Sequence, residues 1–132
     1  MKRKRLLILC LIYSMAFMFG CATTGQQSTP EDVKVKGYYT SLLVAAETYD
    51  VTMTGLRIGL DRGILSPEDI AKVLPYAGIY YDAYQAGSVA LYSYALILTA
   101  DAENKLLAAL SQITVALSEF TKIAQPYIER GM

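Results

Sequence analysis

Residues 65–101 read LSPEDIAKVLPYAGIYYDAYQAGSVALYSYALILTAD, and this stretch decides the fold. Its first six residues are a helix start. Ser66 suits the N-cap, Pro67 the first helical position, and Asp69 the place where a capping box puts its acid. Leu65 and Ile70 can close over the cap as a hydrophobic staple. Pro75 follows within three turns, where it has no N–H to donate and crowds the preceding turn. The spacing therefore predicts a short helix over 67–73, a kink or break near Pro75, and a long helix from about 75 to 99.

The long segment is apolar on two sides. One seam is Ile70, Leu74, Ala77, Tyr81, Tyr84, Ser88, Leu91, Ala95 and Leu98. A second is Val73, Tyr76, Tyr80, Ala83, Gly87, Ala90, Tyr94 and Ile97. Between Lys72 and Asp101 the one charge is Asp82. Such a helix is expected at the centre of a bundle, covered by two neighbours. The alternative is membrane insertion: Ala83–Ala100 carries no charge, but Gln85, Ser88, Ser93, Thr99 and three tyrosines make it a poor span. Asp82 lies either on a solvent stripe with Gln85 or in the core paired with Arg57. The stripe is preferred, because an unpaired buried carboxylate is expensive.

On either side the helical period continues. Tyr39, Leu42, Ala46, Tyr49, Met53, Leu56 and Leu60 repeat at alternating intervals of three and four, which predicts a first helix from about Glu31 to Asp61. Gly37, Gly55 and Gly59 weaken it, or allow close helix packing. Leu106, Leu110, Ile113, Leu117, Phe120, Ala124 and Tyr127 do the same for a third, with Asp101 as cap or first-turn acid and an irregular last turn at Pro126. Short connections force neighbours to run antiparallel. The expected fold is all-α: an antiparallel up-down-up three-helix bundle over residues 31–132, with shallow crossings near +20°. No run alternates with period two, so no sheet is expected, and no internal repeat stands out.

The N-terminus reads differently. Lys2-Arg3-Lys4-Arg5 precede an apolar run, Leu6 to Phe19, then Gly20 and Cys21. A cationic start, a short apolar core and a small residue before the cut make a secretory signal peptide. The run is shorter than the roughly 20 residues of a membrane span, the alternative being an uncleaved anchor with its N-terminus in the cytoplasm. Met18-Phe19-Gly20-Cys21 resembles the lipobox of bacterial lipoproteins, with Phe19 bulkier than the residue usual there. The resemblance implies cleavage between Gly20 and Cys21 and lipid attached to Cys21. It also implies, from Ala22 at the next position, the periplasmic face of an outer membrane. Residues 1–20 would leave as signal, and 21–30 would form a lipidated cysteine and flexible tether.

Composition narrows the function. Four of the 12 basic residues lie in the signal and all 12 acidic ones beyond it. The remainder carries 8 against 12, a net charge of −4. No basic patch offers itself to phosphates, so no nucleic-acid partner is expected. With no His in the chain and Cys21 acylated, neither a Ser-His-Asp nor a Cys-His system can be built. No metal site, catalytic residue or cofactor beyond the covalent lipid is expected. Glu47 and Asp50 share a helix face but lack the Glu-x-x-His companions of di-iron bundles, and read as a solvated acidic face. Gly55-Leu56-Arg57-Ile58-Gly59 lies inside a helix and is not a phosphate loop.

Tyrosines are the remaining lead. Tyr76, Tyr80, Tyr81 and Tyr84 cluster on the first half of the second helix, and tyrosine is enriched at interfaces. They form either a Tyr-rich core with hydroxyls reaching water or an exposed surface for a protein or glycan. The expectation is a non-catalytic, membrane-anchored envelope lipoprotein acting as an interaction or structural module with a protein partner. Homo-oligomerisation is compatible with it. The alternatives are a binder of cell-wall glycan or a small molecule near Pro75 and Tyr76, and a phage- or plasmid-borne lysis or exclusion lipoprotein.

Overall fold

The computed structural model describes residues 27–131, so the expected signal, Cys21 and most of the expected tether lie outside the described residues. Three helices follow in order: α1 (Pro30–Asp61), α2 (Pro67–Ile97) and α3 (Ala100–Gly131). Among the described residues there is no strand. The bundle is up-down-up. Lys34 near the start of α1 meets Glu103 near the start of α3 at 3.0 Å. Asp69 at the start of α2 faces Arg130 at the end of α3 at 3.8 Å.

The same cap opens α1 and α2. Ser66 Oγ accepts from the Asp69 N–H at 3.1 Å, and the Ser66 N–H donates to Asp69 Oδ2 at 3.1 Å. Thr29-Pro30-Glu31-Asp32 repeats this arrangement at 3.2 and 3.0 Å. Each pair satisfies two backbone donors that a helix start leaves orphaned. Thr29 and Pro30, read as tether, thus belong to the first helix. Leu65 is buried and Ile70 half-buried in one apolar cluster, the staple expected across the second cap. Arg62 ends α1, and Gly63 takes φ +70°. Its N–H bonds the Leu60 carbonyl and that of Ile64 bonds Gly59, so the left-handed residue falls where glycine carries no steric penalty.

The junction of α2 and α3 departs from expectation. α2 stops at Ile97, and Leu98 adopts a left-handed conformation, φ 52°, its N–H bonded to the Tyr94 carbonyl at 2.8 Å. Thr99 rather than Asp101 caps α3, its Oγ1 accepting from the Ala102 N–H at 3.3 Å. Asp101 is the first-turn acid, stabilised there by the helix dipole. The helix runs unbroken through Pro75, so the expected short and long segments are one element. One lost hydrogen bond does not outweigh a continuous buried stripe on either side of it. α3 likewise continues through Pro126 to Gly131.

Two apolar clusters stack along the bundle. Leu42, Ala45, Tyr80, Leu91, Tyr94, Leu106, Ile113 and Ala116 fill the half beside the α2–α3 turn. Leu56, Leu65, Val73, Ala77, Phe120 and Ala124 fill the other, and Tyr49 and Leu117 pack against both. In α1 the buried stripe is Leu42, Ala45, Thr52, Leu56 and Gly59, so Tyr39 and Leu60 of the expected seam face solvent. In α2 it is Val73, Ala77, Tyr80, Gly87, Leu91 and Tyr94, drawn chiefly from the second expected seam. Leu74, Tyr81 and Ile97 point outward. Gly59 and Gly131 bring α1 and α3 together: a Cβ on Gly131 would lie 3.4 Å from Gly59 Cα.

Among the described residues one helix, α3, is long and apolar enough to cross a membrane. Length and composition admit the core helix of a bundle equally. Here Leu106, Ile113, Ala116, Phe120 and Ala124 of that helix are buried in the two clusters.

Candidate interaction surface

The four tyrosines do not form one surface. Tyr80 is a core residue, 3% exposed. Its ring stacks on Tyr49 at 4.7 Å and lies 5.9 Å from Tyr84. Tyr49 in turn packs on Phe120 at 5.1 Å. Burial pushes the Tyr80 phenol up to about 12, with smaller contributions from Tyr84, Asp50 and Tyr49. Tyr76 and Tyr84 are half-buried beside it. Tyr81, one residue and about 100° further round the helix, is 56% exposed. The cluster therefore divides: three rings line the core or its margin, and one is on the surface. Tyr38 is held from the other side. Its ring meets Tyr94 edge-on at 5.8 Å, and its hydroxyl donates to Glu103 Oε1 at 2.6 Å.

What faces outward on α2 is a different set. Asp82 and Gln85 are exposed on one stripe, as expected. Arg57, the alternative partner of Asp82, faces Asp61 instead at 3.8 Å. The same stripe continues into Val89, Tyr92 and Leu96, all well exposed. These three belong to neither apolar seam read from the sequence. Their intervals of three and four from Gln85 are the signal that could have found them.

Beside the stripe, α2 and α3 separate into an open groove of about 520 Å³. Ile79, Ala83, Ala86, Val115 and Ala116 line it, together with the polar Asp82 and Glu119. A second recess, about 170 Å³, lies between α1 and α2 beside Leu74, lined by Met53, Leu56, Leu60, Ile70 and Val73. The expected site at Pro75 and Tyr76 adjoins this recess in sequence through Leu74, but neither residue lines it. Among the described residues no three His, Cys, Asp or Glu side chains come together as a metal-binding group. Glu47 and Asp50 are exposed on α1.

Set against known proteins, the chain matches no family model, no curated protein and no solved structure.

Proposed function

We propose that this chain is a small envelope lipoprotein, anchored through lipid on Cys21 at the periplasmic face of an outer membrane, that acts as a non-catalytic interaction or structural module. The observation that carries the reading is the sequence Lys2-Arg3-Lys4-Arg5, the apolar run Leu6 to Phe19, and Gly20-Cys21 directly after it. A cationic start and short apolar core address a chain for export. More than one acyl chain on a cysteine is what makes anchoring stable, since each buried CH₂ contributes about 0.8 kcal/mol. The exposed apolar stripe of α2 supports the second half of the reading, because contiguous apolar surface on a small domain marks a face that docks on a protein or on a membrane. The alternative of a glycan or small-molecule binder draws support from the groove between α2 and α3, whose mixture of apolar walls and a few polar groups is common in ligand sites.

The test compares wild type with Cys21→Ser in cells fed an alkyne fatty acid. Wild type should take up label and fractionate with the outer membrane. The variant should do neither. Crosslinking in the same cells should then capture a defined envelope protein from wild type that is lost in the variant. Absence of label on wild type would remove the anchored reading. Thermal shift with muropeptides would favour the binder if the melting temperature rises.

A further inference from the structure

We propose that the α2–α3 apex, Tyr92, Leu96, Ile97 and Leu98, rests in the headgroup boundary of the bilayer that holds Cys21, so that the bundle stands on the membrane by its tip. The inference depends on the reading that Cys21 carries lipid. These four residues are 69%, 67%, 61% and 48% exposed. Leu98 occupies a left-handed position, φ 52°, that a polar turn would give to Gly or Asn. An apolar side chain is thus held at the turn itself, about half of it open to solvent.

Geometry selects the occupant. The start of α1 lies at this same end, as the Lys34–Glu103 pair at 3.0 Å and the Tyr38–Tyr94 contact at 5.8 Å show. Cys21 is eight residues before Thr29, a reach of at most about 29 Å fully extended and about 15 Å for a flexible chain. The opposite end of the bundle, at Gly63 and Ile64, is a further 45 Å or so along the helices at about 1.5 Å per residue. A lipid on Cys21 therefore holds the apex, and not the far end, at high effective concentration next to the bilayer.

Chemistry agrees with that occupant. Three of the four acids near the apex are internally engaged: Asp101 with Lys105 at 2.8 Å, Glu103 with Lys34, and Asp32 with its own cap. With Glu31 and the exposed Lys36 counted as well, three lysines stand against four acids there, a net charge of −1, too small to draw the apex strongly to anionic headgroups or repel it from them. Tyr92, apolar in body and polar at its tip, suits the depth where a bilayer passes from hydrocarbon to headgroup. Docking should accordingly be apolar in character and nearly indifferent to salt.

The experiment uses the acylated chain, purified in detergent and reconstituted into phosphatidylethanolamine vesicles with a minor fraction of phosphatidylglycerol. Leu96→Cys, Tyr92→Cys and, as the far-end control, Ile64→Cys are labelled with an environment-sensitive dye, and a quencher is supplied on a lipid acyl chain. Quenching at 96 and 92 several-fold stronger than at 64, and unchanged between low and high salt, is expected. Equal quenching at the three positions on chains that float with the vesicles would overturn the docking while leaving the anchor intact. Failure of the acylated wild type to float would overturn both. Dye at 96 that is already shielded without vesicles, in proportion to protein concentration, would assign the apex to a second copy of the chain and overturn the proposal.

Discussion

The Tyr38 hydroxyl on α1 donates a 2.6 Å hydrogen bond to Glu103 Oε1 at the start of α3. The same carboxylate accepts from Lys34 Nζ at 3.0 and 3.2 Å. Tyr38 first and Lys34 second hold the Glu103 carboxyl below its ordinary value, while Glu103 pushes the Lys34 ammonium and the Tyr38 phenol up. Three helix-borne groups thus close the end of the bundle beside the α2–α3 turn.

This junction makes stability depend on acid. A carboxyl held below its unfolded value contributes stability above that unfolded pKa, about 4.3 for Glu, and loses it as pH falls through the folded one. Glu103→Gln should lower the melting temperature by a few degrees at pH 7, and the gap to wild type should close below about pH 4. Lys34 is half exposed, so its share is small and salt-screened. Tyr38→Phe should therefore reproduce most of the loss, and Lys34→Gln much less. Thermal unfolding at pH 7 and pH 3 checks the order. A gap that persists at pH 3 would show that packing rather than charge is what Glu103 supplies.

Gly87 and Gly78 sit on the same helix and should respond oppositely to alanine. A Cβ on Gly87 would collide with Ile113 Cδ1 and lie 3.6 Å from Leu42 Cδ2. Ile113 is itself 2% exposed, so to admit the new Cβ the end of that side chain must turn toward the recess of about 270 Å³ that it lines between α1 and α3. Overpacking of this kind costs about 1–3 kcal/mol, against a helix-propensity gain of about 1. Gly78 has nothing within 4 Å of its would-be Cβ, so Gly78→Ala keeps the gain alone. Urea unfolding should show Gly87→Ala destabilised by up to about 2 kcal/mol and Gly78→Ala stabilised by about 0.5–1. Two shifts of the same sign would mean the α2–α3 contact at Gly87 is looser than described.

Much of this architecture is legible in the sequence because local chemistry and packing agree. Ser66-Pro67-Glu68-Asp69 states its cap, and three apolar periods state three helices. Position on the wheel was harder to read. In α1, Tyr38 and Tyr39, Ala45 and Ala46, Thr52 and Met53 offer two seams one residue apart, and hydropathy favours the wrong one. Thr52 can be buried because its hydroxyl donates to the Thr48 carbonyl at 2.8 Å, which hides its polarity inside the helix. Gly59 is legible in the sequence as a weak helix former or a site of close packing, and Gly87 as a seam position, but which side chain each would meet depends on the neighbouring helix and is not. The tyrosines failed for a related reason. Their amphipathic character fits core margin and surface equally, so Tyr80 and Tyr81 could be separated only by rotation about the helix axis. The exposed apex is not legible because Ile97 and Leu98 read as the ends of the two apolar seams.

Tyr80 carries a polar atom in the wrong medium. Its Oη is buried, and among the described residues it has no hydrogen-bond partner. Leaving such a group unsatisfied costs about 1–3 kcal/mol, whereas replacing it with hydrogen leaves the stack on Tyr49 in place. Tyr80→Phe should therefore be neutral or stabilising by up to about 1 kcal/mol at pH 7. Alkali should widen the difference. The folded phenol is held up to about 12, so its contribution is fully present below the unfolded value near 10 and is lost as pH rises toward 12. Urea midpoints of both chains at pH 7 and pH 11 check this. A variant less stable than wild type at pH 7 would reveal a partner for the hydroxyl, such as a buried water.

Pro67 and Pro75 occupy one helix and should separate by position. At the first helical position, Pro67 lacks a donor that would be orphaned anyway, and its fixed φ fits the helix. Pro67→Ala is expected to change stability by less than about 0.5 kcal/mol, as ordinary surface substitutions do. Pro75 stands inside the unbroken helix, where it cannot donate to the Ala71 carbonyl and its ring crowds that turn. An interior proline costs about 3 kcal/mol against alanine in a host helix. Here the exposed position of Ala71 lets water take up the freed carbonyl, and the stiffness of proline in the unfolded chain offsets part of the rest. Pro75→Ala should consequently stabilise the bundle by about 1–2 kcal/mol, measured as a rise in the urea midpoint with an unchanged slope. A loss of stability would mean that proline at this position is needed to seat Val73 and Tyr80 each in its own apolar cluster, with the proline a shaping element of α2 and not a tolerated defect.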